Sequence, residues 1–227
     1  HTLIFFATVL LAVALADAFG LSRQTAQLAG LVYITGGYPY IAGHVVSTDL
    51  VLLFFQLLGI LAFWKVWRRA PFIELWRILF WLAFALAFLT KGPPGWLPLL
   101  PIIVFSIVKR KDNGGKILAG HRSVLYLILF ILLSFSWHLY LIVQRPELIE
   151  FFLYDEIYAR MLTEEHRRGE PAYLYFVLLA FGLFPWIILW PRVVQLSWRR
   201  LREGVTALEP WQLFSILWIF LILPVFL

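Results

Sequence analysis

Asp49 stands in Ser47-Thr48-Asp49, where the chain enters a long apolar run. A carboxylate held there by a helix start can bind or orient an acceptor hydroxyl or amine. The same three residues also suit a helix N-cap, in which a short oxygen side chain accepts free N–H groups of the first turn. Lys91 opens Lys91-Gly92-Pro93-Pro94-Gly95, just after another apolar run. Read as a helix end, Lys favours the negative pole of the dipole, Gly terminates the helix and Pro prevents its continuation. Read as chemistry, a single ammonium on an otherwise neutral, rigid loop suits a phosphate. The third charged region, Arg145–Pro171, is the long polar connection of the sequence. Pro146 suits a first helical turn. Glu147–Leu162 mixes Leu148, Ile149, Phe151, Phe152, Ile157 and Leu162 with Asp155, Glu156 and Arg160, as an interfacial helix does. Glu156 and Arg160 are four apart, the spacing of a helical ion pair. Thr163–Pro171, with His166 and Arg167, reads either as a solvated turn or as a flexible lid over a site. A lone His166 without clustered Cys or His is no metal signature.

The elements that must position these groups are membrane helices. The 227 residues are 62% hydrophobic and 14% charged, where a soluble domain is nearer a quarter charged. Eight apolar segments are expected, at 3–19, 26–46, 50–66, 72–90, 94–108, 123–143, 173–190 and 211–227. Gly36, Gly37 and Pro39 in the second and Pro94, Pro98 and Pro101 in the fifth predict kinks or breaks. The runs are apolar all round, which excludes the alternating strands of a barrel with a polar lumen. The fold class is therefore all-α and polytopic. Its parts are membrane helices with short loops at 1–144, an outer loop with an interfacial helix at 145–172, and further membrane helices at 173–227. The chain opens on His1, and both ends lie in apolar runs, so an internal piece of a longer protein is expected.

The charges sort by side. Connections around Arg23, Lys65–Arg77, Lys109–Arg122 and Arg192–Arg202 hold 14 of the 19 Lys and Arg residues. They alternate with those around Asp49, Lys91 and Arg145–Pro171. The positive-inside rule makes the first set cytoplasmic. The net charge of +6 is then a property of loops at lipid head groups rather than a nucleic-acid surface. The absence of cysteine excludes disulfides and thiol chemistry within this sequence. No phosphate-binding Gly-rich loop, His-Glu-x-x-His or Gly-x-Ser-x-Gly motif occurs.

Several short runs then fall in a familiar order. They are Ser47-Thr48-Asp49, Leu89-Thr90-Lys91-Gly92-Pro93, Trp137 with Arg145-Pro146, and Asp155-Glu156 with Arg160. After them come His166-Arg167 with Pro171 and Tyr173–Tyr175, and Gly182-Leu183-Phe184-Pro185-Trp186. This order resembles the bacterial membrane glycosyltransferases related to the aminoarabinose lipid A transferase, within the protein O-mannosyltransferase superfamily. The resemblance implies a C-type glycosyltransferase fold in the bacterial inner membrane, with an active site facing the periplasm. It implies transfer of a sugar from a polyprenyl phosphate to a glycolipid, glycan or protein. Asp49 matches an acidic position lining the site, and Lys91 a basic one near the donor phosphate. Glu156 and Arg160 match the acidic and basic members of a Glu-His-x-x-Arg-Phe motif. Ile157 and Met161 replace the His and Phe of that motif. The His helps hold a metal in the aminoarabinose enzyme, so neither a metal nor another cofactor is expected here. The family's acidic motif in the first outer loop is expected before His1.

The reading carried into the structure is a polyprenyl-phosphate-dependent glycosyltransferase. Asp49 and Glu156 are its acidic groups, and Lys91, Arg160, His166 and Arg167 bind substrate. A transporter or flippase of a lipid-linked sugar is the alternative from another class, and a non-catalytic envelope subunit a third.

Overall fold

Helix boundaries follow from a few capping residues. Ser47 is extended, with φ −140° and ψ 159°, and its hydroxyl accepts the Asp49 N–H at 3.3 Å. That starts α4 (Thr48–Trp67), as the N-cap reading requires. After a short turn, α5 (Ile73–Lys91) runs back beside it and ends at Gly92, whose φ of +70° favours glycine. Pro93 then opens a 3₁₀ turn, Pro93–Trp96, which leads to α6 (Leu99–Val108). The loop is drawn tightly onto the helix it follows. A Cβ on Gly95 would lie 2.5 Å from the Ala87 carbonyl, so this close approach needs glycine.

The structure, a computed structural model, describes residues 1–110, 121–150, 172–202, 204 and 208–226. Before the α4–α5 hairpin come α1 (Thr2–Ala18), α2 (Arg23–Thr35) and α3 (Gly37–His44). After it come α7 (His121–Gln144), a short turn of helix α8 (Leu148–Glu150), α9 (Ala172–Leu183), α10 (Trp190–Arg202) and α11 (Pro210–Phe226). α1 packs between α2 and α4, α7 packs on α5, and α6 packs on α11. No strand occurs among the described residues.

The chain is a multi-pass, all-helical membrane protein. Thr48–Trp67, Ile73–Lys91 and Val124–Gln144 are long and apolar enough to cross a bilayer. Along α7, Val124, Leu125, Ile128, Leu129 and Leu132 are exposed, as a lipid-facing surface requires. Two expected spans are interrupted where their Gly and Pro residues predicted it. Segment 26–46 breaks at Gly36, which is extended at φ −70° and ψ 145°, and becomes α2 and α3. Segment 94–108 is a 3₁₀ turn followed by the ten-residue α6.

Segment 173–190 differs from expectation in a further way. Its helix stops at Leu183, and a second helical stretch, Trp186–Arg202, leaves at 104°. Arg192–Arg202, read from sequence as a connection, is helical as α10 because charge clustering carries no information about backbone state. The interfacial helix expected over 147–162 is described only for Leu148–Glu150; the rest lies outside the described residues.

At one end of the hairpin the helices close around aromatic rings. Phe63, Trp64 and Phe105 are fully buried. Trp64 meets Phe19 at 4.8 Å, Trp67 at 4.9 Å, Phe105 at 5.4 Å and Phe214 at 5.7 Å between ring centres. Edge-on and tilted aromatic pairs of this kind each contribute about 0.5–1.5 kcal/mol beyond area burial. This plug ties α1, α4, α6 and α11 together.

Candidate active site

At the other end of the hairpin the ammonium of Lys91 donates to the Asp49 carboxylate. The two residues lie 42 positions apart. They meet because Asp49 opens α4 and Lys91 closes α5, and the two helices are antiparallel. Lys91 is thus not the isolated cation that its neutral loop suggested; the fold supplies its counter-ion. Both side chains stay exposed, 45% for Lys91 and 61% for Asp49. An exposed pair contributes only about 0–1 kcal/mol to stability. Its main consequence is geometric: it holds an ammonium and a carboxylate side by side at a membrane boundary.

The loop that carries Lys91 is fixed from α4. The Gln56 side-chain amide donates to the Pro94 carbonyl at 2.9 Å. Gln56 lies seven residues after Asp49, two helical turns along the same face. Sequence reading passed over it, although it is the single amide within the apolar run 50–66. A lone polar side chain in such a run was the available signal.

Beside Asp49 lies a cavity of about 470 Å³. Tyr33, Tyr38, Ile41, Val45, Leu50 and Leu53 form its wall, and Ser47 and Asp49 give it a polar edge. The Tyr33 hydroxyl is shielded from solvent and has no hydrogen-bond partner among the described residues. A buried hydroxyl left unpaired costs about 1–3 kcal/mol, so a ligand offering an acceptor would gain from it. Neither tyrosine was distinguishable in sequence among the nine present. Their convergence depends on the bend at Gly36.

The third charged region leaves from this same end. Tyr126, early in α7, donates to Glu74 at 3.0 Å, at the plugged end of α5. Further along, Phe135 and His138 pack on Phe88 at 5.1 and 5.6 Å. α7 therefore runs in the direction of α5, and Arg145 emerges near the level of Lys91. His138 is half-buried among these rings, as an interface anchor would be. Glu156, Arg160, His166 and Arg167, together with Ile157, lie outside the described residues. Among the described residues, no three metal-ligating side chains come together.

Comparison with known proteins places this arrangement in a family. A family model for dolichyl-phosphate-mannose-protein mannosyltransferases matches residues 1–152. The undecaprenyl phosphate-alpha-4-amino-4-deoxy-L-arabinose arabinosyl transferase of Pseudomonas aeruginosa is 28% identical over 211 residues, covering 91% of this chain and 38% of that protein. An uncharacterised protein of Aquifex aeolicus is 31% identical over 156 residues, 68% of this chain and 33% of that one. The crystal structure of ArnT from Cupriavidus metallidurans bound to undecaprenyl phosphate superposes with a TM-score of 0.78 at 22% identity, covering 99% of this chain and 40% of ArnT. The chain thus spans well under half the length of these relatives. Its helices follow the fold of a C-type membrane glycosyltransferase, and the family match takes in Asp49, Gln56, Lys91 and both cavity tyrosines. The chain belongs to the dolichyl-phosphate-mannose-protein mannosyltransferase family.

Proposed function

We propose that this chain forms part of an enzyme that transfers a sugar from a polyprenyl phosphate to an acceptor, a glycolipid foremost. The observation that carries the reading is Asp49 on the rim of an apolar cavity with the Lys91 ammonium paired to it. A polyprenyl-phosphate sugar has a long apolar tail and an anionic head. It calls for an apolar groove with a cation at its polar edge. The P. aeruginosa relative is named for undecaprenyl-phosphate sugar transfer, and the ArnT neighbour was solved with undecaprenyl phosphate.

The chemistry is a direct displacement at the anomeric carbon. The acceptor oxygen or nitrogen forms a bond to that carbon as the bond to the phosphate oxygen breaks. The electron pair leaves with the phosphate, and a carboxylate takes the acceptor proton. Phosphate is a good leaving group that needs charge neutralisation more than protonation. Lys91 supplies that positive charge, and Asp49 holds Lys91 in place and contacts the acceptor. Glu156, Arg160, His166 and Arg167, which lie outside the described residues, complete the proposed set, Arg160 as a second cation. The displacement uses no cofactor. The site faces the periplasm from the bacterial inner membrane, as the distribution of basic residues supports.

The second reading, transport of a lipid-linked sugar, calls for charges near mid-membrane. The charged residues of α4 and α5 stand instead near the helix ends, at Asp49, Lys65, Glu74, Arg77 and Lys91. That favours the enzyme.

The test is transfer from an undecaprenyl-phosphate sugar by the full-length protein in proteoliposomes. Lys91→Ala lowers the rate about 10²–10³-fold if the ammonium stabilises the leaving phosphate. Normal transfer by that folded variant removes Lys91 from the role. Cysteines introduced at positions 112 and 166 label from opposite sides of the membrane; labelling from one side overturns the orientation.

A further inference from the structure

The run Gly182-Leu183-Phe184-Pro185-Trp186 takes no part in the ion pair, yet the fold seats it against the cavity wall. Its receiver is the break between α2 and α3. The Gly37 N–H donates to the Phe184 carbonyl at 3.0 Å. The Trp186 indole N–H donates to the Thr35 hydroxyl at 2.9 Å, across 151 positions of sequence. The two backbones touch. A Cβ on Gly37 would fall 2.4 Å from the Phe181 carbonyl oxygen, and a Cβ on Gly182 would fall 1.8 Å from the Tyr38 ring. Neither contact is sterically possible without movement, so close approach excludes a side chain at both positions.

Tyr38 connects this joint to the site. One side of its ring lies on Gly182, and the same residue lines the cavity with Tyr33 and Leu53. A side chain at position 182 would drive the ring off its seat and towards the space it borders. We infer that Gly182 is a positioning residue. It seats Tyr38 and so sets the width of the cavity and the lipid-linked ligand the cavity admits. The identity of that ligand rests on the proposed function; the seating of Tyr38 does not.

Two measurements on the full-length protein keep these claims apart. The first needs no ligand. Within this sequence, which has no cysteine, Leu53→Cys places a thiol in the cavity wall, and its rate of labelling by monobromobimane reads access. Gly182→Ala is expected to slow labelling about fivefold when Tyr38 is present and less than about twofold in the Tyr38→Ala background, the signature of a direct coupling. Equal slowing in both backgrounds, or none in either, overturns the inference. Should Gly182→Ala fail to reach the membrane, Trp186→Phe serves in its place. It keeps a ring, loses the hydrogen bond to Thr35, and gives a smaller change that Tyr38→Ala must likewise abolish.

The second measurement is binding of undecaprenyl phosphate, followed by thermal shift. Gly182→Ala is expected to weaken it about tenfold, again only with Tyr38 present. Wild-type protein that fails to bind undecaprenyl phosphate overturns the proposed ligand, and the labelling result still decides the role of Gly182. Wild-type binding with no change in Gly182→Ala overturns the role assigned to Gly182 in ligand selection.

Discussion

The two ends of the α4–α5 hairpin are built from similar charges and opposite packing. Each end carries a lysine–aspartate pair joining different helices. Lys65 lies 3.9 Å from Asp17 of α1, and Lys91 pairs with Asp49 across the hairpin. Around Lys65 the neighbouring space is filled by the rings of Phe63, Trp64, Trp67 and Phe105, and Arg68 donates to the Phe19 carbonyl at 2.6 Å. Near Asp49, α2 breaks at Gly36 and a cavity opens. An ion pair over a packed plug has little left to do but anchor helix ends. An ion pair at the rim of a cavity presents its charges to whatever enters. The difference between them lies in what fills the adjoining space.

This comparison is broken most severely by emptying the plug. Trp64→Ala removes a fully buried ring at the meeting of α1, α4, α6 and α11. It is expected to cost about 3–5 kcal/mol of stability, read as a lower unfolding temperature in detergent, and loss of folded protein from the membrane is its extreme form. A small change would show that the plug does not hold the frame.

The two lysines sharpen the comparison next. Lys91→Gln is expected to lower sugar transfer about 10²-fold while moving stability by less than about 1 kcal/mol. Lys65→Gln, a matched loss of charge, is expected to leave transfer within about twofold, since Lys65 is half-buried at the far end of the hairpin and its partner Asp17 is solvent-exposed. Equal effects of the two substitutions on transfer would erase the functional distinction between the ends.

Gln56→Leu tests how rigidly the open end is held. It removes the stronger of two donors to the Pro94 carbonyl, which keeps the Leu97 N–H at 3.3 Å, at a cost of about 0.5–1.5 kcal/mol. Transfer is expected to fall less than in Lys91→Gln, with a weaker apparent affinity for the donor, because the loop carrying the ammonium is loosened rather than discharged. The smallest effect belongs to Asp17→Asn. Stability and transfer should both stay near wild type, within about 1 kcal/mol and twofold, because Asp17 is 68% exposed.

Much of the frame is legible in the sequence. Hydropathy and charge run in stretches long enough to define membrane helices, and a helix satisfies its backbone from its own residues. The cap at Ser47, the stop at Gly92 and the breaks at Gly36 and Pro93–Trp96 are equally local, since each depends on the torsions or hydrogen bonds of a few adjacent residues. The sorting of Asp49, Lys91 and the exit at Arg145 to one boundary also followed, because antiparallel spans alternate sides. The length of α10 was missed because arginines mark a membrane boundary without saying whether the backbone there is coiled or helical.

The site itself was only half legible. Asp49 and Lys91 were identifiable as residue types at helix ends, but nothing local says that a carboxylate and an ammonium 42 positions apart share a proton-bearing contact. Gln56 on Pro94, Tyr38 on Gly182 and Trp186 on Thr35 are decided the same way, by which helix faces meet and how closely. Sequence by itself therefore determined the class of molecule, the ends of most helices and the boundary where its informative charges collect. Tertiary structure alone decided which charges pair, which end closes and which stays open. Helix formation rests on neighbours in sequence, whereas ion pairs, seats for aromatic rings and cavities rest on close approach between helices distant along the chain.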